Sequence, residues 1–220
     1  MRQRKIKDVE NKILAYEDLI VRDPAAYRGK WREVFVDGTA HPPLYVEIGC
    51  GKGQFIVAEA GNHPEGRFIA IEGFSSVMYK ALQKVRAAEL ENVRCVLDFV
   101  VDLGTWFDEN ELDGIYLNFS DPWPKKKNAK RRLTYRDRLE QYAKALKPGG
   151  FLRFKTDNDG LFEFTLEELD LVIDRCGFTV EAMTRDIHKT EWAAASPMTE
   201  YETKFAETGK NINFLALRKE

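Results

Sequence analysis

A seven-stranded, mostly parallel sheet with helices on both faces and an antiparallel final strand is the α/β fold that this sequence predicts. Two observations predict it. From Leu44 onward, short apolar runs alternate with segments of helical period, the rhythm that lays parallel strands side by side and returns the chain over the sheet as helix. A glycine cluster, Gly49-Cys50-Gly51-Lys52-Gly53, falls between the first run and the first helical segment, where a doubly wound sheet carries its ligand loop.

The elements follow in order. Residues 44–48 read as a short buried strand, 54–61 as a helix, 67–71 as the second strand and 74–88 as the second helix. Strands are expected over 93–97 and 112–117. A helix over 134–146 is closed by Lys147-Pro148-Gly149-Gly150, with a strand over 151–155 behind it. An amphipathic helix over 161–176 leads to a last strand pair, 178–183 and 211–217. Ahead of this rhythm Val9, Ile13, Tyr16, Leu19 and Ile20 keep helical spacing up to a stop at Asp23-Pro24. Residues 1–43 are therefore expected to be an N-terminal helical extension, with the main domain over 44–220.

Composition narrows the function classes. Two hundred and twenty residues suit one domain with a sizeable core, and a formal charge of −2 excludes a uniformly basic nucleic-acid coat. Any such contact must be local, at the basic runs 2–7 or 125–138. Cys50, Cys95 and Cys176 are far apart without a C-x-x-C, and His41, His63 and His188 lack ligand spacing, so no metal or disulfide framework is expected. The start is charged without an apolar segment, and no apolar stretch is long enough to span a membrane; the cytoplasm is the expected location.

Chemistry concentrates where the 112–117 run ends. Asn118-Phe119-Ser120-Asp121-Pro122-Trp123-Pro124 leads into Lys125-Lys126-Lys127-Asn128-Ala129-Lys130-Arg131-Arg132, six cations in eight residues. Each proline fixes its own φ and pushes the residue before it out of the helical region, so Asp121 and Trp123 are both expected to be extended. The segment reads as an active-site loop that fixes the direction of Asp121, beside a nucleic-acid contact.

The glycine loop indicates the cofactor. A dinucleotide fingerprint would place a further glycine where Gln54 stands, and Glu47, just before the loop, would repel a pyrophosphate. A carboxylate there suits the ammonium and sulfonium of S-adenosylmethionine. Glu72, about twenty residues beyond the glycines at the end of the second strand, can accept both ribose hydroxyls.

With these residues in place, the chain resembles the bacterial tRNA (guanine-N7)-methyltransferases, from about Lys30 to its end. The resemblance rests on 45–53, Ala70-Ile71-Glu72, 116–126, 130–134, Phe154-Lys155-Thr156-Asp157-Asn158 and Met198-Thr199-Glu200-Tyr201-Glu202. It implies a Rossmann-like class I methyltransferase fold and transfer of a methyl from S-adenosylmethionine to N7 of a guanine in the tRNA variable loop. It implies that Glu47, Gly49, Gly51, Gly53, Glu72 and Asp121 lie at the cofactor, with Asp121 catalytic. Lys125, Asp157, Thr199, Glu200, Tyr201 and Glu202 would contact the guanosine; Lys127, Asn128, Ala129, Lys130, Arg131 and Arg132 would touch tRNA. One departure stands out: the family's usual Asp for the adenine falls by spacing on Phe99, with Asp98 one residue early, so both are candidates for that contact.

Guanine N7 carries a free lone pair and needs no base; the ring becomes cationic as the methyl arrives, so Asp121 would act by charge. Two rivals stand beside this reading. Asp121-Pro122-Trp123 is similar to the D/N-P-P-Y/F/W signature of amine-directed methyltransferases, with the second proline displaced past the Trp, and a non-catalytic RNA-binding protein could use the same fold. A monomer and a homodimer are equally compatible with the sequence.

Overall fold

The computed structural model describes residues 6–35, 41–207 and 209–220; most of the basic run 2–7 lies outside them. Strands β1 (Leu44–Ile48), β2 (Arg67–Ile71), β3 (Val93–Val96), β4 (Leu112–Asn118), β5 (Leu146–Thr156), β6 (Phe178–Thr184) and β7 (Asn213–Lys219) form one sheet in the order β3-β2-β1-β4-β5-β7-β6. The first five run parallel, and β7 enters antiparallel between β5 and β6. The strand order reverses between β1 and β4. The crevice outside the carboxyl ends of these two neighbours is thus the topological switch point, where open α/β sheets take their ligands.

Side-chain alternation divides the strands between two cores. Val46, Ile48, Ile69, Ile71, Ile115, Leu117, Leu152 and Phe154 point to one face, packed with Leu139 and Tyr142 of α4 (Arg136–Ala145) and with Leu161, Phe162 and Leu169 of α5 (Asp159–Asp170). Phe68, Ala70 and Cys95 point to the other. There they meet Ile56 and Ala60 of α2 (Gln54–Asn62) and Met78, Ala81, Leu82 and Val85 of α3 (Ser75–Ala87). Burial on both faces is why these strands read as continuous apolar runs. Gly53 serves this packing: a Cβ on it would lie 2.8 Å from the Cβ of Ala81, so the glycine lets the first turn of α2 close on α3.

Four local expectations are corrected. The helix expected over 161–176 is two pieces, α5 and α6 (Ile173–Cys176), because Val172 leaves helical geometry at φ −132°. Leu169, Val172 and Cys176 all enter the same core, so the apolar spacing runs on across the break. The helical spacing before Leu44 yields only α1 (Val9–Ile13) and short 3-10 turns. The competing interaction is a strand edge: Ile20 forms a parallel bridge with Cys95, and Val21 N donates to Cys95 O at 2.9 Å, which draws the chain away from the helix. β5 begins five residues earlier than its apolar core, since Leu146 pairs with Leu112 before a bulge takes up the Lys-Pro-Gly-Gly turn. Finally, α7 (Glu200–Glu207) stands where no helix was expected.

The segment before β1 is pinned to the sheet. Glu111 is buried and accepts from the backbone N–H of Gly29, Trp31 and Asp108 at 2.9, 3.1 and 2.8 Å. Trp31 is fully buried, its indole stacks on Phe107 at 4.9 Å, and its Nε1 donates to Trp106 O. Trp31→Ala should therefore destabilise the protein by about 3–5 kcal/mol, the scale of a large buried aromatic truncated to Ala. Denaturant unfolding measures this; a loss under about 1 kcal/mol would mean that the segment is dispensable to the core.

Candidate active site

Glu47 lies on the α2 side of β1, near its carboxyl end, with a relative exposure of 1%. Register places its partners. Glu47 sits opposite Tyr116, and two residues further along β4, on the same face, Asn118 Nδ2 donates to Glu47 Oε1 at 2.8 Å. The other oxygen, Oε2, is buried with no hydrogen-bond partner among the described residues. Burial pushes the carboxyl up from 4.5 to about 7, opposed by the Asn118 bond and by the charge of Lys155. A buried acceptor without a donor costs about 1–3 kcal/mol, and a donor arriving from a ligand would recover it.

The loop after β1 leaves open space at two of its glycines. Gly49 and Gly51 have φ of +79° and +59°, and a Cβ on either would meet nothing within 4 Å. The N–H groups of Gly49 and Cys50 donate to Ile71 O, tying the loop to the end of β2. There the Glu72 carboxylate accepts from Gly51 N at 3.2 Å and Phe74 N at 2.9 Å, which leaves further lone pairs on both oxygens. Burial raises the Glu72 pKa, against the backbone bonds that favour its anion, and the charge of Asp121 adds to the rise. Glu72 and Asp121 stand after β2 and β4, the two strands that flank β1.

Asp98 and Phe99 stand at the rim beyond β3. Asp98 Oδ1 accepts from Phe99 N at 2.7 Å, and the exposed Phe99 ring lies edge-to-face on exposed Phe74 at 5.2 Å. Gly73 lies under that ring, where a Cβ would come within 2.3 Å of it. The position that would carry an acid in the resembling family thus presents an aromatic surface.

The loop after β4 is bent rather than extended. Phe119 and Trp123 have φ of +52° and +39°, unusual for bulky residues and costing about 1–3 kcal/mol each. The expectation that Trp123 is extended is corrected, and the cause is Arg132. Its guanidinium donates to Pro122 O at 2.9 Å and Trp123 O at 3.0 Å, curling the chain around it, and lies 4.1 Å over the Phe164 ring. Arg132, expected at the RNA, is spent on the loop. Arg131 lies 4.9 Å over the Trp123 ring, while Lys125, Lys127 and Lys130 are exposed and Asn128 and Ala129 half-buried on a short 3-10 turn. Asp121, between the two strained residues, is exposed, and its carboxylate has no hydrogen bond among the described residues.

The Thr199 segment is a helix start. Thr199 Oγ1 accepts from Glu202 N at 3.0 Å and Glu202 Oε2 accepts from Thr199 N at 3.3 Å, a reciprocal capping box whose T-x-x-E signature is legible in the sequence. Glu202 also pairs with Lys155 at 2.7 Å, and His188 Nε2 approaches its other oxygen at 3.5 Å. Glu200 is held by Lys84 and Lys52. These three side chains are occupied by the protein itself. Tyr201, exposed and stacked over Phe119 at 6.4 Å, and Asp157, which pairs loosely with Lys210 at 3.5 Å, face outward at the same end of the sheet. Sequence reasoning missed Asn118 and Lys155 as parts of this site. Asn118 and Lys155 are paired across β4 and β5 on the Glu47 face, which only the register reveals.

A switch-point sheet with an open glycine loop, a buried acid before it and acids at the ends of β2 and β4 is the arrangement of a Rossmann-like methyltransferase. A family model described as "Putative methyltransferase" matches residues 41–215. The chain is 43% identical over 212 residues to the tRNA (guanine-N(7)-)-methyltransferase of Geobacillus thermodenitrificans, covering 96% of this chain and 94% of that one. It is 42% identical to the protein of the same name from Lacticaseibacillus casei, with 96% of each chain covered. Among solved structures, the geranyl diphosphate C-methyltransferase of Streptomyces coelicolor, in complex with S-adenosyl-L-homocysteine, shares the fold. Its TM-score is 0.53 at 16% identity, over 83% of this chain and 72% of that one. The chain belongs to the family of tRNA (guanine-N(7)-)-methyltransferases.

The state of Glu47 is open to direct measurement. A carbon-13 carboxyl titration should place its midpoint near 7, against an ordinary 4.5. The folded protein then holds this proton more tightly than the unfolded chain does. The stability it contributes is full below 4.5 and lost as the pH rises to about 7. Asn118→Leu removes the bond that favours the anion and should move the midpoint higher still. A midpoint near 4.5 would show a hydrated carboxylate.

Proposed function

We propose that this protein transfers a methyl group from S-adenosylmethionine to N7 of a guanine in the tRNA variable loop, forming 7-methylguanosine. The observation that carries the reading is the unpartnered, buried oxygen of Glu47 at the switch point, beside a carboxylate, Asp121, held by a strained loop with no bond of its own among the described residues. The names of relatives that the chain matches over almost its whole length support it.

The residues fit the cofactor. Glu47 can accept from its ammonium through a buried oxygen that lacks a donor among the described residues; Glu72 can accept from the ribose hydroxyls; Gly49 and Gly51 leave room for its chain. Phe99 and Phe74 would offer adenine an apolar face, with no side-chain carboxylate reading it, since Asp98 is turned to Phe99 N. When bound, S-adenosylmethionine supplies an electrophilic methyl on a sulfonium.

On the substrate side, a general base is unnecessary because N7 already presents its lone pair. Asp121 would stabilise the positive charge that appears on the purine, an effect larger in the transition state than in the bound ground state. Asp157 would accept from the guanine N1–H or exocyclic amine, Lys125 would donate to O6, and Tyr201 would stack on the base. Glu202, expected to read guanine, is engaged by Lys155 instead. Exposed Lys127 and Lys130 would meet the phosphates.

Unmodified tRNA incubated with S-adenosylmethionine should yield 7-methylguanosine on nucleoside analysis. tRNA carrying 7-deazaguanine at the target should bind and accept nothing, whereas an exocyclic amine acceptor would still be methylated. Asp121→Ala should slow transfer by about a hundredfold or more, the scale of a lost transition-state contact, while tRNA binding stays within a few fold. Turnover near the wild-type rate would make the motif a structural turn.

The basic turn gives a separate prediction. Replacing Lys127 and Lys130 together by Ala should lower the slope of log affinity for tRNA against log salt by about 1.4–1.8, from roughly 0.7–0.9 per phosphate contact. Arg132→Ala should instead leave the slope in place and slow transfer, because it frees the Asp121 loop. An unchanged slope in the double variant would mean that these lysines only face solvent.

A further inference from the structure

The Pro197–Thr203 segment is fastened to the cofactor loop's own helix from two sides. On the outer side Gln54, the first residue of α2 and the one standing where a dinucleotide loop would have glycine, uses its amide. Its Nε2 donates to Met198 O at 3.1 Å and to Thr203 Oγ1 at 3.3 Å. Thr203 Oγ1 in turn donates to Thr199 O at 3.0 Å, so the amide grips the cap of α7. On the inner side Lys155, at the end of β5, donates to Pro197 O at 2.9 Å and to Glu202 Oε2 at 2.7 Å, with its Nζ 5.1 Å over the ring of Phe55, the second residue of α2. Lys155 and Glu202 are both 1% exposed.

A buried ion pair of this kind is a poor source of net stability, because desolvating both charges offsets most of their attraction. What it does impose is one arrangement: either partner left alone is a buried charge. Lys155 also stands on the same sheet face as Asn118, opposite it in register, and Asn118 holds Glu47. Lys155 and Glu47 are close enough for each to favour the charged form of the other. The segment that presents Tyr201 is thus latched to α2 by Gln54 and to the end of β5 by Lys155, beside the Glu47 site.

We propose that Gln54 and Lys155 are positioning residues that make the 197–203 segment move as one body with the cofactor loop, so that cofactor binding and tRNA binding strengthen each other. The inference rests on the methyltransferase reading above. Ordering the first turn of α2 around the cofactor fixes Gln54, and Gln54 then fixes the cap of the helix that offers Tyr201; the cost of ordering that helix is met by the first ligand and spared the second. Linkage requires the effect to be reciprocal, with one coupling factor whichever ligand is added first.

The test is a binding cycle on the full chain: the affinity of S-adenosyl-L-homocysteine with and without saturating unmodified tRNA transcript, and the affinity of that transcript with and without S-adenosyl-L-homocysteine. Wild-type protein should show the same factor in both directions, about fivefold or more. Gln54→Ala should bring the factor within about twofold of unity while changing the affinity of free protein for S-adenosyl-L-homocysteine by less than about threefold. Lys155→Met should also bring the factor toward unity, but because it removes a charge that favours the Glu47 anion it should weaken S-adenosyl-L-homocysteine as well. The near-unchanged cofactor affinity is asked only of Gln54→Ala, at a half-exposed site, which decides alone. A merely structural role would lower both affinities and leave the factor intact. A factor of one in the wild type, or one that persists in folded Gln54→Ala, overturns the inference. Failure of the wild-type protein to bind tRNA at all overturns the functional reading beneath it.

Discussion

One buried carboxylate governs this site. Glu47 is placed on the α2 face of β1 by strand alternation, at the point where the sheet order reverses, and only one of its two oxygens has a hydrogen-bond partner among the described residues. A core residue of ordinary purpose would be paired or apolar. The neighbouring elements are arranged around this exception: Asn118 orients it from β4, Lys155 faces it from β5, and the glycine loop leaves open space beside it. The free energy that such an unpaired oxygen costs would be recovered by a donor from a ligand, which is what ties this contact to the proposed function.

The geometry also separates residues that act from residues that hold. Arg132 and Glu202 belong to motifs that promise contact with RNA or base, yet each is consumed in shaping the site, one by curling the Asp121 loop and the other by docking α7. Asp121, Asp157 and Tyr201 face outward and can still meet a substrate. Phe119 joins the two groups, since its left-handed backbone turns the β4 loop while its ring supports Tyr201.

Much of this was legible in the sequence, and the limits have physical causes. The inner sheet was readable because β1, β2, β4 and the core of β5 are buried on both faces and appear as apolar runs between turn residues, whereas β6 is largely exposed. The acids Glu47, Glu72 and Asp121 stood out because each lies within such a run or a few residues past its end. Pairing partners were not: Asn118 and Lys155 gain meaning only from register, which no local pattern encodes. The break at Val172 was hidden because two short helices share one core face. Trp123 was misread because the rule for residues before proline excludes one region of backbone space without choosing among the rest, and a guanidinium ten residues away from Pro122 made the choice. The capping box at Thr199 was present as T-x-x-E but obscured by a short, mostly polar helix.

The account depends most on the partner that Glu47 lacks. The direct measurement compares S-adenosyl-L-homocysteine with its analogue lacking the α-amino group, by calorimetry, on wild-type protein and on Glu47→Gln. A charge-assisted hydrogen bond is worth about 1.5–3 kcal/mol. Removing the amino group should therefore weaken binding to the wild-type protein by roughly ten- to a hundredfold. In Glu47→Gln the two ligands should bind within a few fold of each other. An equal penalty in both proteins would contradict the account, since the ammonium would then be held somewhere other than Glu47.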